Sequence, residues 1–102
     1  MKQVTEILIV GTNRPILETI ERLVNKEGQW LATLSYSVKE ATSICLEKDF
    51  GLLLIGAGLE EDEEVELKQQ IALLRPKLPV VKHYGGGSGL LFAEIYQALA
   101  NS

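Results

Sequence analysis

Two uninterrupted apolar tetrads, Ile7-Leu8-Ile9-Val10 and Leu52-Leu53-Leu54-Ile55, constrain this chain more than any other feature. A strand that alternates apolar and polar residues has one face in water. A strand that is apolar at every position has neither, so it must be covered on both sides. Each tetrad is followed by a helical period. Ile16, Leu17, Ile20, Leu23 and Val24 recur at helical spacing, with Glu18, Glu21, Arg22 and Lys26 on the other face, and Gly28 is placed to stop that helix. After the second tetrad, Glu60–Glu66 opens a helix whose inner face is Leu67, Ile71 and Leu74, reaching towards Leu78. Pro76 and Pro79 bracket its end.

The remaining segments repeat the alternation. Trp30-Leu31-Ala32-Thr33-Leu34 is a more mixed strand, as an edge strand is. Ser37-Val38-Lys39-Glu40 has the form of a capping box, opening a helix that buries Val38, Ala41, Ile44 and Cys45 and ends near Asp49. A last strand over Leu78–Tyr84 leads into a helix over Leu90–Ala100, with Leu91, Phe92, Ile95 and Leu99 inward. Four β-α units with apolar strands predict a single α/β domain over residues 1–102. The expected architecture is a three-layer α/β/α fold, with a four-stranded parallel sheet of order 2-1-3-4 and right-handed crossovers, a shortened flavodoxin-like arrangement.

Bulk properties narrow the function classes. Apolar residues make up 46% of the 102, ample for a core. Ten basic against 14 acidic residues give a net charge of -4, which argues against nucleic acid or an anionic membrane as the partner. Cys45 is the one cysteine, so no internal disulfide forms, and its apolar neighbours mark it as a core residue. No signal peptide and no long apolar run are visible, and the expectation is a cytoplasmic protein.

In a parallel sheet every β-to-α loop leaves at the carboxyl edge. Three of those loops are small and polar or glycine-rich: Gly11-Thr12-Asn13-Arg14, Gly56-Ala57-Gly58 and Gly85-Gly86-Gly87-Ser88-Gly89. They are expected to share a rim near strands 1, 3 and 4, where open α/β sheets bind ligands. Thr12 or Asn13 caps the first helix, Pro15 lies in its first turn, and Arg14 is placed to meet an anion. A ligand rim would comprise Thr12, Asn13, Arg14, Gly56, Gly86, Gly87, Ser88 and Gly89, with backbone N–H groups around a phosphate or nucleotide. Neither a Walker A sequence nor a G-x-G-x-x-G fingerprint in its proper context is present. The acids of Glu60-Glu61-Asp62-Glu63-Glu64-Val65-Glu66 suit the positive end of a helix better than a metal site. His83, Tyr84 and Ser88 lie near one loop, but no second group is forced near His83 to complete a catalytic constellation. The expectations are no catalysis, no cofactor and no metal.

The segments Ile7–Val10 with its polar loop, Phe50–Gly56, and Arg75-Pro76-Lys77-Leu78-Pro79-Val80-Val81 together resemble the receiver domains of two-component response regulators over most of the chain up to Tyr84. The resemblance also shows what is absent. A receiver holds Mg²⁺ with an acidic pair after its first strand, where this chain has Gly11, Thr12 and Asn13. Its phosphoacceptor aspartate corresponds to Gly56, its hydroxyl residue after the fourth strand to about Tyr84, and its lysine after a fifth strand to nothing. The resemblance implies a truncated pseudo-receiver that is not phosphorylated on aspartate and acts by binding protein. Strand 4 is then an edge. A homodimer or another protein would cover it through strand 4 and the last helix, at Val80, Val81 and His83.

Overall fold

A computed structural model describes residues 4–83 and 88–100. The order is β1 (Thr5–Val10), α1 (Arg14–Lys26), β2 (Trp30–Ser35), α2 (Val38–Glu47), β3 (Leu52–Ile55), α3 (Glu61–Leu74), β4 (Val80–Lys82) and α4 (Ser88–Ala100). The strands form one parallel sheet of order β2-β1-β3-β4, as the alternation predicts. The register is Ile7 beside Ala32 and Leu52, and Leu53 beside Val80.

The two apolar tetrads are fully buried and divide between two cores. Ile7, Ile9, Leu52 and Leu54 face α1 and α4, through Leu17, Ile20, Val24, Leu91 and Ile95. Leu8, Val10, Leu53 and Ile55 face α2 and α3, through Val38, Ala41, Cys45, Leu67 and Ile71. Successive strand side chains point to opposite faces, so one tetrad supplies both cores. Trp30 closes the first core at the β2 edge, with ring centroids 5.8 Å from Phe92 and 5.0 Å from Tyr96. Gln29 donates to the Tyr96 hydroxyl at 2.5 Å, a second tie between the β2 entry and α4.

Helix starts follow side-chain chemistry. Asn13 is the cap of α1, accepting the Ile16 N–H at 3.2 Å with Pro15 in the first turn. Ser37 accepts the Glu40 N–H at 3.0 Å, while the Glu40 carboxylate takes the N–H of Tyr36, one residue earlier than a standard capping box. Glu63 closes a box on the Glu60 N–H at 2.9 Å. Gly28 adopts φ 73 after α1, a left-handed backbone that a glycine takes without strain.

Four sequence expectations shift. Ile16 is 44% exposed, because Leu17, Ile20 and Val24 fix the inner face one position on. Leu74 is only half-buried, and Leu78 lies beyond α3, its N–H donating to the Arg75 carbonyl at 3.0 Å in a turn. The last strand is shorter than Leu78–Tyr84, although its ladder still runs from the Pro79 carbonyl, which accepts from Leu53, to the His83 N–H, which donates to Ile55. The last helix starts two residues earlier than Leu90, at Ser88.

Candidate functional site

Parallel pairing brings the ends of β1 and β3 together, with Val10 beside Ile55. The Gly56 N–H donates to the Val10 carbonyl at 2.8 Å, and the Gly11 N–H to the Ser35 carbonyl at 3.1 Å. The two loops that follow are therefore neighbours, at the point where the strand order reverses.

They close on each other. The N–H groups of Thr12 and Asn13 both donate to the carbonyl of Ala57, at 3.0 and 3.2 Å. Three glycines permit this approach. A Cβ at Gly11 would lie 2.5 Å from the Ala57 carbonyl oxygen, and one at Gly56 would lie 2.5 Å from Leu17 Cδ2. A Cβ at Gly58, where φ is 105, would lie 2.2 Å from Thr12 Oγ1. The buried side chain of Leu17 thus packs beneath both strand ends, and the Ala57 carbonyl lies against Gly11. No side chain longer than hydrogen projects from the position directly after either strand.

The other rim residues are dispersed. Arg14 is exposed and turns towards the β2 side, its guanidinium 3.9 Å from the Tyr36 ring centroid. Ser88 and Gly89 are exposed at the start of α4. Gly86 and Gly87 lie outside the described residues, as do Tyr84 and Gly85. Val80 and Val81 are half-buried on the edge strand, one towards each core. His83 is turned inward: its Nδ1 meets Glu94 Oε1 at 2.5 Å, with side chains only 11% and 16% exposed. His83 therefore joins the end of β4 to α4. Lys82 points to the other face and reaches Glu64 at 2.8 Å.

Part of the acidic run is used within the fold, while Glu60, Glu61, Asp62 and Glu66 stay exposed. Glu63 caps α3, Asp62 accepts the Glu63 N–H at 3.0 Å, and Glu64 pairs with Lys82. Among the described residues no group of three His, Cys, Asp or Glu side chains converges as a metal ion requires. Cys45 is buried, which pushes its thiol up, with Arg75 opposing the shift. Arg75 lies there because its Nε donates to the Cys45 carbonyl at 3.1 Å. None of the described helices is long and apolar enough to cross a membrane.

Two hollows lie away from this rim. One of about 490 Å³ runs between the β4 edge and α4, past Pro79, Val80, Val81 and Gln97. Another, of about 520 Å³, lies at the amino edge beside Phe50 and Arg75. Sequence reasoning singled out strand 4 and the last helix, which line the first of these hollows, as a partner surface and not as a groove. It missed the Ala57 bridge, the Glu64–Lys82 pair and the His83–Glu94 pair, because each joins groups that only the folded chain brings together.

No family model matches this chain, and no curated protein matches it. Solved structures do. A CheY-like response regulator receiver domain protein from Methanospirillum hungatei JF-1 has a TM-score of 0.83 at 20% identity, covering 97% of this chain and 96% of that one. The receiver domain of the hybrid histidine kinase CckA has a TM-score of 0.79 at 17% identity, over 92% and 98% of the two chains. The non-phosphorylated HemR receiver domain from Leptospira biflexa has a TM-score of 0.66 at 17% identity, over 92% and 75%. The chain has the flavodoxin-like receiver fold.

Proposed function

We propose that this chain is a signalling module of the receiver fold that works by binding protein and is not phosphorylated on aspartate. One observation carries the reading. At the strand ends where phosphoryl chemistry needs a carboxylate nucleophile and acids around a divalent cation, this chain has Gly11 and Gly56, with Leu17 and the Ala57 carbonyl in the space beside them. An edge strand flanked by a groove supplies the alternative to chemistry, namely contact. The partner surface in this reading is β4 with α4, covered by a second copy or by another protein. The lone buried thiol and acidic surface fit a reducing cytoplasm.

The test is incubation with Mg²⁺ and acetyl phosphate, followed by intact mass and acid-quench analysis. The expected result is an unchanged mass, and the same inertness towards beryllofluoride. An acyl-phosphate adduct on Asp49 or Asp62 overturns the reading.

A phosphate- or nucleotide-binding rim is the second reading, favoured by the exposed Arg14 guanidinium at the start of α1. Arg14 would be the charged donor in this reading, since the Thr12 and Asn13 N–H groups donate to Ala57. A thermal shift with millimolar phosphate supports it, and an unchanged melting temperature removes it.

A further inference from the structure

At the amino edge of the sheet the local charge runs against that of the molecule. The chain carries a net charge of -4, and its acidic run lies at the start of α3. Arg75 and Lys77 follow directly after that helix ends. Pro76 stops α3, since it has no N–H for the helical ladder, and the chain turns through Arg75–Leu78 into β4. Together with the Asp49-Phe50-Gly51 connector that enters β3, this turn encloses the hollow of about 520 Å³. The walls are apolar, from Phe50, Leu74, Leu78 and Pro79, all half-buried. The charged groups of the lining are Arg75, Lys77 and Asp49. A concave, mostly apolar surface with a few polar groups is the composition of a small-molecule site, and the volume falls within the usual range of about 300–1,000 Å³.

We infer that this hollow binds a small carboxylate with an aromatic or branched apolar body, the carboxylate on Arg75 and the body against Phe50 and Leu78. Arg75 is held in place without a ligand: its Nε donates to the Cys45 carbonyl at 3.1 Å, and a guanidinium fixed in this way loses little freedom on binding. Its Nη2 meets a carboxylate in the folded chain, Asp49 Oδ1, at 3.3 Å. The Asp49 side chain is 86% exposed, and so open a pair contributes little. A ligand carboxylate backed by apolar contact displaces it. Lys77, exposed on the same lining, gives the hollow two cations against one acid, which selects an anion over an amine. The carbonyl ends of α2 and α3 face this edge and oppose an anion. The bond from Arg75 to Cys45 offsets the first of them, and the apolar walls supply the remainder only to a ligand with apolar surface to bury. The hollow lies at the opposite edge of the sheet from Gly11 and Gly56, so this inference goes beyond the protein-binding reading and does not depend on it.

Proton–nitrogen correlation spectra of the full chain, titrated with phenylacetate, read this directly. The expected result is saturable shifts centred on Phe50, Gly51, Arg75 and Leu78, with a dissociation constant in the millimolar range or tighter, while Gly11 and Gly58 stay still. Phenylacetamide has the body without the charge, and inorganic phosphate has the charge without the body. Each is expected to bind at this hollow about tenfold more weakly or worse. Arg75→Gln is expected to weaken phenylacetate binding about tenfold. That variant also loses the tie to α2, so Asp49→Asn, at an exposed position, supplies a test that leaves the core untouched. Removing the competing carboxylate is expected to tighten binding about twofold or more. No saturable shift, equal binding of the amide, shifts centred on Gly11 and Gly58, or an Asp49→Asn variant that binds no more tightly overturns the inference. None of those outcomes alters the acetyl phosphate result, so the two readings fail separately.

Discussion

The N–H of Thr12 donates to the carbonyl of Ala57 at 3.0 Å, and this contact ties the β1 loop to the β3 loop at the switch point of the sheet. Asn13 adds a second donor to the same oxygen at 3.2 Å. The positive end of α1, which in other proteins faces an anion, here faces a carbonyl of the neighbouring loop. The contact depends on missing Cβ atoms, so it is open to test one glycine at a time.

Gly11→Ala is expected to cost more than Gly56→Ala. At Gly56 the obstructing atom is Leu17 Cδ2, the end of a flexible side chain that can swing away. At Gly11 it is the Ala57 backbone oxygen at 2.5 Å, so relief requires moving a loop and breaking the two hydrogen bonds to that oxygen. Overpacking sets the scale: about 1–2 kcal/mol for Gly56→Ala and about 2–4 kcal/mol for Gly11→Ala. Urea midpoints at constant slope check the order, and equal losses would mean that the loop yields freely.

A second pair of glycines separates strain from crowding. Gly28 and Gly58 both have positive φ, 73 and 105, but a Cβ at Gly28 meets nothing within 4 Å, whereas one at Gly58 meets Thr12 Oγ1 at 2.2 Å and the Asn13 nitrogen at 3.0 Å. Gly28→Ala carries only the left-handed penalty, about 1 kcal/mol, and Gly28→Asn recovers most of it. Gly58→Ala carries strain and collision together, and its loss is expected to be at least about twice as large. Thr12→Ala removes part of the obstruction, so in that background Gly58→Ala is expected to cost less. Strict additivity in the double variant contradicts the placement of Thr12 against Gly58.

These contacts also show which parts of the structure the sequence makes legible. Ile7–Val10 and Leu52–Ile55 read correctly because burial on both faces leaves a continuous apolar run, and the strand order follows from alternation and handedness. Cys45 reads as core for a different reason, its place on the apolar face of α2 with Val38 and Ala41. The last strand was harder: Pro79 lends its carbonyl to the ladder but has no N–H, so its end is blurred in pattern and in structure alike. The tie between the two loops is illegible in the sequence. Its acceptor is the backbone of Ala57, and every residue has such a carbonyl. Glu64 read as one more solvated acid in a run, and only the fold brings Lys82 within 2.8 Å of it.

His83 and Glu94 are expected to be coupled. Both side chains are largely buried, and the pair spans the chain segment between β4 and α4. Removing one partner strands the other away from water, so His83→Ala and Glu94→Ala are each expected to lose about 1–3 kcal/mol. The double variant is expected to lose less than the sum, with a coupling of about 1 kcal/mol or more. Trp30 is the one tryptophan, and it packs on Tyr96 and Phe92 of α4, so its emission follows the docking of that helix. A coupling near zero would reduce the pair to mere adjacency.

Cys45 gives the chain an alkaline signature. Burial holds its thiol above the ordinary cysteine range of about 8.5, and Arg75 offsets only part of the shift. The folded state therefore keeps the thiol proton at a pH where the unfolded chain has released it. With more protons bound in the folded state, the slope of stability against pH is negative. The contribution is fully present below about pH 8.5 and is lost as the pH climbs through the raised value. Lysines and tyrosines also titrate in that range, but they do so equally in Cys45→Ala, so the difference between the two proteins isolates the thiol. Wild type is expected to be the more stable below about pH 8 by about 1 kcal/mol, the cost of the vacated volume, and its advantage is expected to narrow steadily to about pH 10. Urea midpoints across that range give the curve, and the native protein should react with a thiol reagent far more slowly than the unfolded chain. A difference that stays flat to about pH 10, or fast labelling of the native thiol, would place Cys45 in contact with water and against the α2–α3 core packing described above.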